Sequence, residues 1–224
     1  MTRHPLAFAA FCEFVATAFL IVAVVGSGIA AERLSGGVVG LALLANALAT
    51  GGALFALILT FGPLSGAHMN PVVTLAAAIV GDFSWRSVPA YFVAQIAGGL
   101  CGTFVAHVMF ELPILQVGQQ VRTGPAQWVA EIVATSGLLA VIWGSARYRT
   151  PVLAGAVGAY IAGAYWFTAS TSFANPAVTI ARALTDTFAG IRPVDVAGFV
   201  VAQCIGLAVV LPLLRKLATV PLED

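Results

Sequence analysis

The chain has 224 residues, of which 60% are hydrophobic and only 8% charged, with a formal net charge of +1. Soluble domains carry about a quarter charged residues, so this composition excludes a water-soluble globule and places the chain in a lipid bilayer. The absence of any Lys/Arg-rich block also removes the electrostatic footprint that nucleic-acid binding requires.

Crossing the hydrocarbon takes ~20 apolar residues in a helix, and six runs qualify, at about 6–30, 37–61, 86–110, 126–146, 152–170 and 194–215. The first follows Arg3 as a secretory leader would, but it is longer than a leader's apolar core and contains Glu13, so it reads as a retained span. Between the second and third runs lies "GAHMNPVVTLAAAI", and between the fifth and sixth lies "SFANPAVTIARAL". Both are too short to cross. In each, an asparagine is placed to cap a helix and a proline to open it, where the missing N–H had no partner anyway. Six spans put both termini on one side. That side carries Arg3, Arg86, Arg147, Arg149, Arg215 and Lys216 against Arg33, Arg122, Arg182 and Arg192, so the positive-inside rule makes the termini cytoplasmic.

The second half of the chain repeats the first. "EFVATAFL" at 13–20 returns as "EIVATSGL" at 131–138, "NPVVTLA" at 70–76 as "NPAVTIA" at 175–181, and "FVAQ" at 92–95 as "VVAQ" at 200–203. The chain therefore reads as one domain, 1–224, built of repeats at about 1–115 and 125–224. An odd number of spans per repeat inverts the second copy, an architecture that places the functional path between the halves near the midplane. Non-helical backbone at that depth is tolerated only where protein buries it or where it lines a water-filled cavity. The inversion brings the two short helices together by their positive N-terminal ends, with the Asn70 and Asn175 amides facing the path and the dipoles opposing cations.

A carboxylate inside a span is costly unless partnered. Glu13 and Glu131 occupy equivalent places, with Thr17 and Thr135 one turn on, and each is expected to hold a re-entrant loop through its free N–H groups. Gln95 and Gln203 are expected to serve similarly. Cys12, Cys101 and Cys204 fall in apolar runs and read as buried reduced thiols. Trp85, Trp128, Tyr91 and Tyr148 lie near span ends and suit interfacial belts, and glycines in "GGLCG" at 98–102 and "GAVGAYIAG" at 155–163 suit close helix packing. Histidines, cysteines and carboxylates show no metal-ligand spacing, and neither a nucleophile elbow nor a phosphate loop occurs. The expectation is a non-enzyme without metal or cofactor.

The paired Asn-Pro motifs, the repeated Glu-x-x-x-Thr and "SGAHMNP" together resemble the aquaporin or major intrinsic protein family, and the resemblance covers both halves. It implies an all-α membrane protein, a right-handed bundle of six transmembrane helices plus two re-entrant half-helices, assembled as a homotetramer in the inner membrane with one pore per chain. The motifs are Asn70-Pro71-Val72, a departure at the third position, and Asn175-Pro176-Ala177. The family's selectivity filter maps onto Thr50, Gly163, Ser172 and Val178, the valine standing where water-selective members resemble one another in having arginine. Such a ring has no aromatic, imidazole or charge, and should be wide and mildly polar. It resembles that of bacterial AqpS-type aquaglyceroporins, which are associated with arsenic. Glycerol, urea, arsenite as As(OH)3 and methylated or pentavalent arsenicals are the solutes implied. His68 is expected to line the path or pin its loop, and Arg182 to fringe the outer vestibule or snorkel to the interface. The alternatives are a water-selective channel, in which Phe173, Phe167 or Tyr165 fills the vacated space, and a secondary transporter, which needs a coupling site that only the two glutamates could supply.

Overall fold

The computed structural model describes residues 4–219, so Arg3, counted above among the charges, lies outside them. All regular structure among the described residues is helical. In chain order the helices are α1 (Leu6–Leu34), α2 (Val39–Ser65), α3 (Pro71–Val80), α4 (Val88–Met109, led in by a 3-10 turn at Trp85–Ser87), α5 (Pro125–Ser145), α6 (Thr150–Phe167), α7 (Pro176–Arg182) and α8 (Pro193–Leu217). Every helix from α3 to α8 has a proline in its first turn, where φ is already helical and no hydrogen bond is lost.

Five helices are long and apolar enough to cross a bilayer by length and composition, namely α1, α2, α4 with its lead-in turn, α5 and α8. The fifth expected run, 152–170, is the 18-residue α6, which starts earlier and stops at Phe167. Thr168 ends it in an extended conformation while its N–H still bonds Ala164 O, so the last residues of that run belong to the following loop. The long helices are apolar on both faces, as bilayer-embedded helices must be. Leu41, Leu44 and Leu48 on α2 and Val201, Ile205 and Val209 on α8 are exposed, while other faces of the same helices form the core.

In the first half α1 packs on α2 and α4, in the second α5 packs on α6 and α8, and α2 against α6 joins the two. Glycine sets the closest crossings. A Cβ on Gly98 of α4 would sit 2.2 Å from Phe14 O of α1, and one on its counterpart Gly206 of α8 would sit 2.9 Å from Ile132 O of α5. Between the halves, Gly51 and Gly158 face each other, each lacking a Cβ that would come within 2.7 and 2.6 Å of the other's carbonyl oxygen. Helix association in lipid has no hydrophobic drive, so backbone approach of this kind supplies its packing energy. Gly98→Ala must therefore push α1 and α4 apart, at a cost of about 1–3 kcal/mol. The expected result is a lower melting temperature in detergent than Gly52→Ala, where no atom lies within 4 Å of the added methyl. Equal melting of the two variants would show that these crossings are loose.

Two expectations about buried and interfacial groups change. Only Cys12 is buried, whereas Cys101 is partly exposed and Cys204 exposed, because their helix faces turn outward from the bundle. Tyr91 is not at an interface but fully buried, its hydroxyl donating to Ser65 O at 2.7 Å.

Candidate functional site

The loops that precede α3 and α7 contain the same backbone. Ala67 and Met69 in the first, and Ser172 and Ala174 in the second, have φ of 47°, 48°, 51° and 48°. Non-glycine residues rarely hold this left-handed conformation, so something outside the loop must fix it. Glu13 does so in the first half. Its Oε1 accepts from Ser65 Oγ at 2.7 Å and His68 N at 2.9 Å, and its Oε2 from Met69 N at 2.6 Å and Gln95 Nε2 at 2.8 Å. Glu131 repeats the arrangement, accepting from Phe173 N at 2.9 Å, Ala174 N at 2.8 Å and Gln203 Nε2 at 2.7 Å. All four side chains, Glu13, Gln95, Glu131 and Gln203, are completely buried.

Each network then runs into its half-helix. Gln95 Nε2 also donates to Thr74 Oγ1 and Gln203 Nε2 to Thr179 Oγ1, and those hydroxyls donate to Asn70 O and Asn175 O. Because the Thr74 proton is committed to Asn70 O, His68 Nδ1, at 3.0 Å from Thr74 Oγ1, is the donor in that pair. Its Nε2 is left for the cavity. Thr74 and Thr179 escaped the sequence reading although both stand in the repeated "NPVVTLA" and "NPAVTIA".

The asparagines are N-caps of the half-helices, Asn70 Oδ1 accepting from Val72 N and Asn175 Oδ1 from Ala177 N and Val178 N. Their amide groups also tie the halves together. Asn70 Nδ2 donates to Ala174 O at 2.8 Å, and Asn175 Nδ2 to Met69 O at 2.7 Å. The two helix N-termini are thus locked tip to tip, and their C-terminal ends point to opposite mouths.

A cavity of about 240 Å³ runs past this junction. One wall is apolar, built by residues such as Leu20, Val24, Leu54, Leu138 and Val157; polar groups on it include His68, Asn70, Asn175, Ser172 and Thr50. Pro71, Val72, Pro176 and Ala177 are buried but do not reach it. Asp82, just beyond α3, and Arg182, at the end of α7, also line it. Since those helices diverge from the middle, the two charges mark opposite ends.

Of the four expected filter positions, Thr50, Ser172 and Val178 line the cavity and Gly163 does not. The α6 residues on the wall are Leu153, Val157, Ile161 and Tyr165. They recur every fourth residue, so Gly163 falls on the opposite side, exposed and nearest to Phe167. The Gly51–Gly158 crossing fixes this rotation. Tyr165, one of the side chains that the water-selective alternative brings into the vacated space, consequently faces the cavity, with its hydroxyl 3.2 Å from Thr50 Oγ1.

Arg182 adds a charge to the cavity wall beyond these positions. Arg182 is one helical turn beyond Val178, only 2% exposed, with its guanidinium carbon 3.4 Å from the centre of the Phe173 ring and its Nε donating to Ala189 O. It forms part of the cavity wall near one mouth. Arg122 stacks on the same ring at 4.9 Å and ties down the loop through Gly190 O at 2.8 Å and Ser170 O at 3.1 Å. Burial pulls the Arg122 guanidinium below its ordinary range, and the charge of Glu131 opposes that shift. Among the described residues no group of His, Cys, Asp and Glu could hold a metal ion.

The family model for major intrinsic protein matches residues 1–171. The chain belongs to the major intrinsic protein family. It is 51% identical over 205 residues to aquaglyceroporin AqpS of Rhizobium meliloti (strain 1021), covering 92% of this chain and 88% of that one. It is 35% identical over 181 residues to aquaporin NIP2-1 of Oryza sativa subsp. japonica, covering 77% and 59% respectively. The X-ray structure of the aquaglyceroporin from Plasmodium falciparum superposes with a TM-score of 0.75 over 96% of this chain and 98% of that one, at 22% identity, which establishes the shared fold. As a member of this family the chain is a multi-pass membrane channel of the aquaglyceroporin kind and not an enzyme.

Proposed function

We propose that this channel passes water, small neutral solutes such as glycerol, urea and As(OH)3, and methylated or pentavalent arsenicals down their gradients. It works as a homotetramer in the inner membrane, with both termini in the cytoplasm. The observation that carries the reading is Val178: at the position where the family's water-selective members have arginine, a short apolar side chain lies on the cavity wall beside Ser172 and Thr50. Removing a guanidinium there widens the passage and takes away five N–H donors. The apolar wall then offers the carbon side of a polyol a dry contact, while Asn70, Asn175 and Ser172 meet its hydroxyls. Glu13 and Glu131 are committed to their loops, which favours a scaffold over the coupling site of a transporter.

One observation favours the narrower reading of a water channel. Tyr165, bonded to Thr50, and the Arg182–Phe173 stack occupy part of the space that the valine leaves. Stopped-flow light scattering on proteoliposomes decides between them. The expected result is shrinkage in hyperosmotic glycerol, urea or arsenite followed by re-swelling at least ~10-fold faster than in empty vesicles, a difference of ~1.4 kcal/mol in barrier. Shrinkage without re-swelling would leave a pore for water alone.

A further inference from the structure

On the outer surface of the bundle the two repeats differ. Gln203 and Gly206 of α8 stand 108 residues beyond Gln95 and Gly98 of α4, and Glu131 of α5 stands 118 beyond Glu13 of α1. On the same count Trp128 and Gly198 are the counterparts of Ala10 and Ala90. In the second half the indole lies against the glycine, so that a Cβ on Gly198 would come within 2.6 Å of Trp128 Nε1. The seam between α5 and α8 is thus filled by a side chain of its own. In the first half two alanines replace that pair, and a hollow between Phe11 and Phe14 of α1 and Ala90, Ala94 and Ala97 of α4 stays open to the outside.

Every residue that lines this hollow is apolar, and both of its helices are long and apolar enough to span the bilayer. From Pro89 to Ala97 it runs ~12 Å along α4, close to the depth of one leaflet of a hydrocarbon core ~30 Å thick. A recess on a bilayer-exposed surface forfeits van der Waals contacts, and an acyl chain laid in it restores them. Arg86 stands at the mouth of the same seam, three and four residues before Pro89 and Ala90 and so on their face. It is exposed, with the 57% exposed Trp85 beside it. The one Lys/Arg–carboxylate pair among the described residues is Arg192 with Asp195, and Asp82 faces the cavity, bonded to Trp143 Nε1, so the Arg86 guanidinium has no counter-charge among them. The counterpart of Arg86 in the second half is Val194. The open seam and the unpaired cation occur together, and the filled seam has neither.

We propose that the α1–α4 seam binds one phospholipid of the leaflet on the Arg86 side, with an acyl chain in the hollow and an anionic headgroup on Arg86. The guanidinium takes the phosphate oxygens as a two-pronged donor, Trp85 lies at headgroup level as interfacial indoles do, and Phe11 and Phe14 flank the chain. A zwitterionic headgroup brings a cation of its own, which Arg86 repels, so the site selects lipids of net negative charge. The site goes beyond the solute range of the channel and does not depend on it.

Phosphatidylglycerol and phosphatidylcholine with the same dioleoyl chains separate the headgroup from the acyl chain. For the full-length protein purified in detergent, phosphatidylglycerol is expected to raise the melting temperature at about one-fifth of the concentration that phosphatidylcholine needs, the gain that one basic residue supplies at an anionic surface. Native mass spectrometry should retain one tightly held phosphatidylglycerol per chain. Arg86→Gln should keep a bound lipid and lose the preference between headgroups. Ala10→Trp combined with Ala90→Gly copies the Trp128–Gly198 pair into the first half, and should remove the retained lipid while the protein still folds. Undiminished retention in that double variant overturns the site, as does an equal response of the wild type to the two lipids. A double variant that changes its oligomeric mass without losing lipid would assign the seam to a second copy of the chain, and overturns the proposal as well. If the double variant does not fold, Arg86→Gln decides, because a headgroup preference that survives it refutes the site.

Discussion

Val178→Arg is expected to cut glycerol, urea and arsenite permeability at least ~10-fold while leaving water within a few-fold of wild type. The new side chain starts from a buried point on the cavity wall, beside Ser172 and within one turn of Arg182. Four residues of helix separate the two attachment points by ~6 Å along the axis, and two unit charges held that far apart would repel by about 3 kcal/mol at an effective dielectric constant of ~20. Glu131 offers the new group no free oxygen to pair with, because its carboxylate is taken up by the loop it holds. The new group must therefore extend across the cavity toward the Thr50–Tyr165 side, where it obstructs any solute wider than a water molecule. Val178→Ala is the matched control and should keep the larger solutes. Stopped-flow rates normalised to reconstituted protein give the comparison, and undiminished glycerol entry through Val178→Arg would place the size-limiting constriction at another level of the cavity.

Glu13→Gln should be more damaging still, abolishing flux and most of the folded protein recovered. Four donors converge on two carboxylate oxygens: a hydroxyl, two backbone amides and the Gln95 amide. A glutamine replaces one of those oxygens by an NH2 group, so whichever way it turns, two donors meet a donor. Hydrogen bonds to charged groups are worth ~1.5–3 kcal/mol each, and a buried donor left without an acceptor costs a similar amount. The total reaches several kcal/mol, a large part of a stability of ~5–15 kcal/mol. Released from Glu13, the left-handed turns at Ala67 and Met69 lose their support, and Met69 O no longer meets the Asn175 amide. Glu131 accepts three bonds instead of four, so Glu131→Gln can turn to leave a single donor facing its NH2 group and should rank second. Fluorescence-detected size-exclusion melting and water flux on the same preparations test the order. Wild-type values for either variant would mean that the loops hold themselves.

Much of this architecture could be read from the sequence alone, because the informative features are local. Apolar runs of bilayer length, prolines at helix starts, the two Asn-Pro openings and the paired glutamates each follow from short segments, and the duplication exposes them twice. Glu13 and Glu131 were legible as loop holders because a carboxylate within a span must find donors, and the free N–H groups of a re-entrant loop are donors at the same depth.

Tertiary structure decided what lies on the cavity wall. The resemblance to the family implies Gly163 for the filter, but the rotation of α6 that accompanies the contact between Gly51 and Gly158 turns Tyr165 inward instead. Cys204 and Tyr91 changed sides for the same reason, since an apolar helix in lipid carries no sequence periodicity that distinguishes its protein face from its lipid face. The fate of Arg182 was equally hidden. Whether an arginine at the end of a half-helix reaches solvent or stays within the protein depends on Phe173 and on the carbonyl of Ala189, which lie in the loops on either side of α7 and meet it only when those loops close.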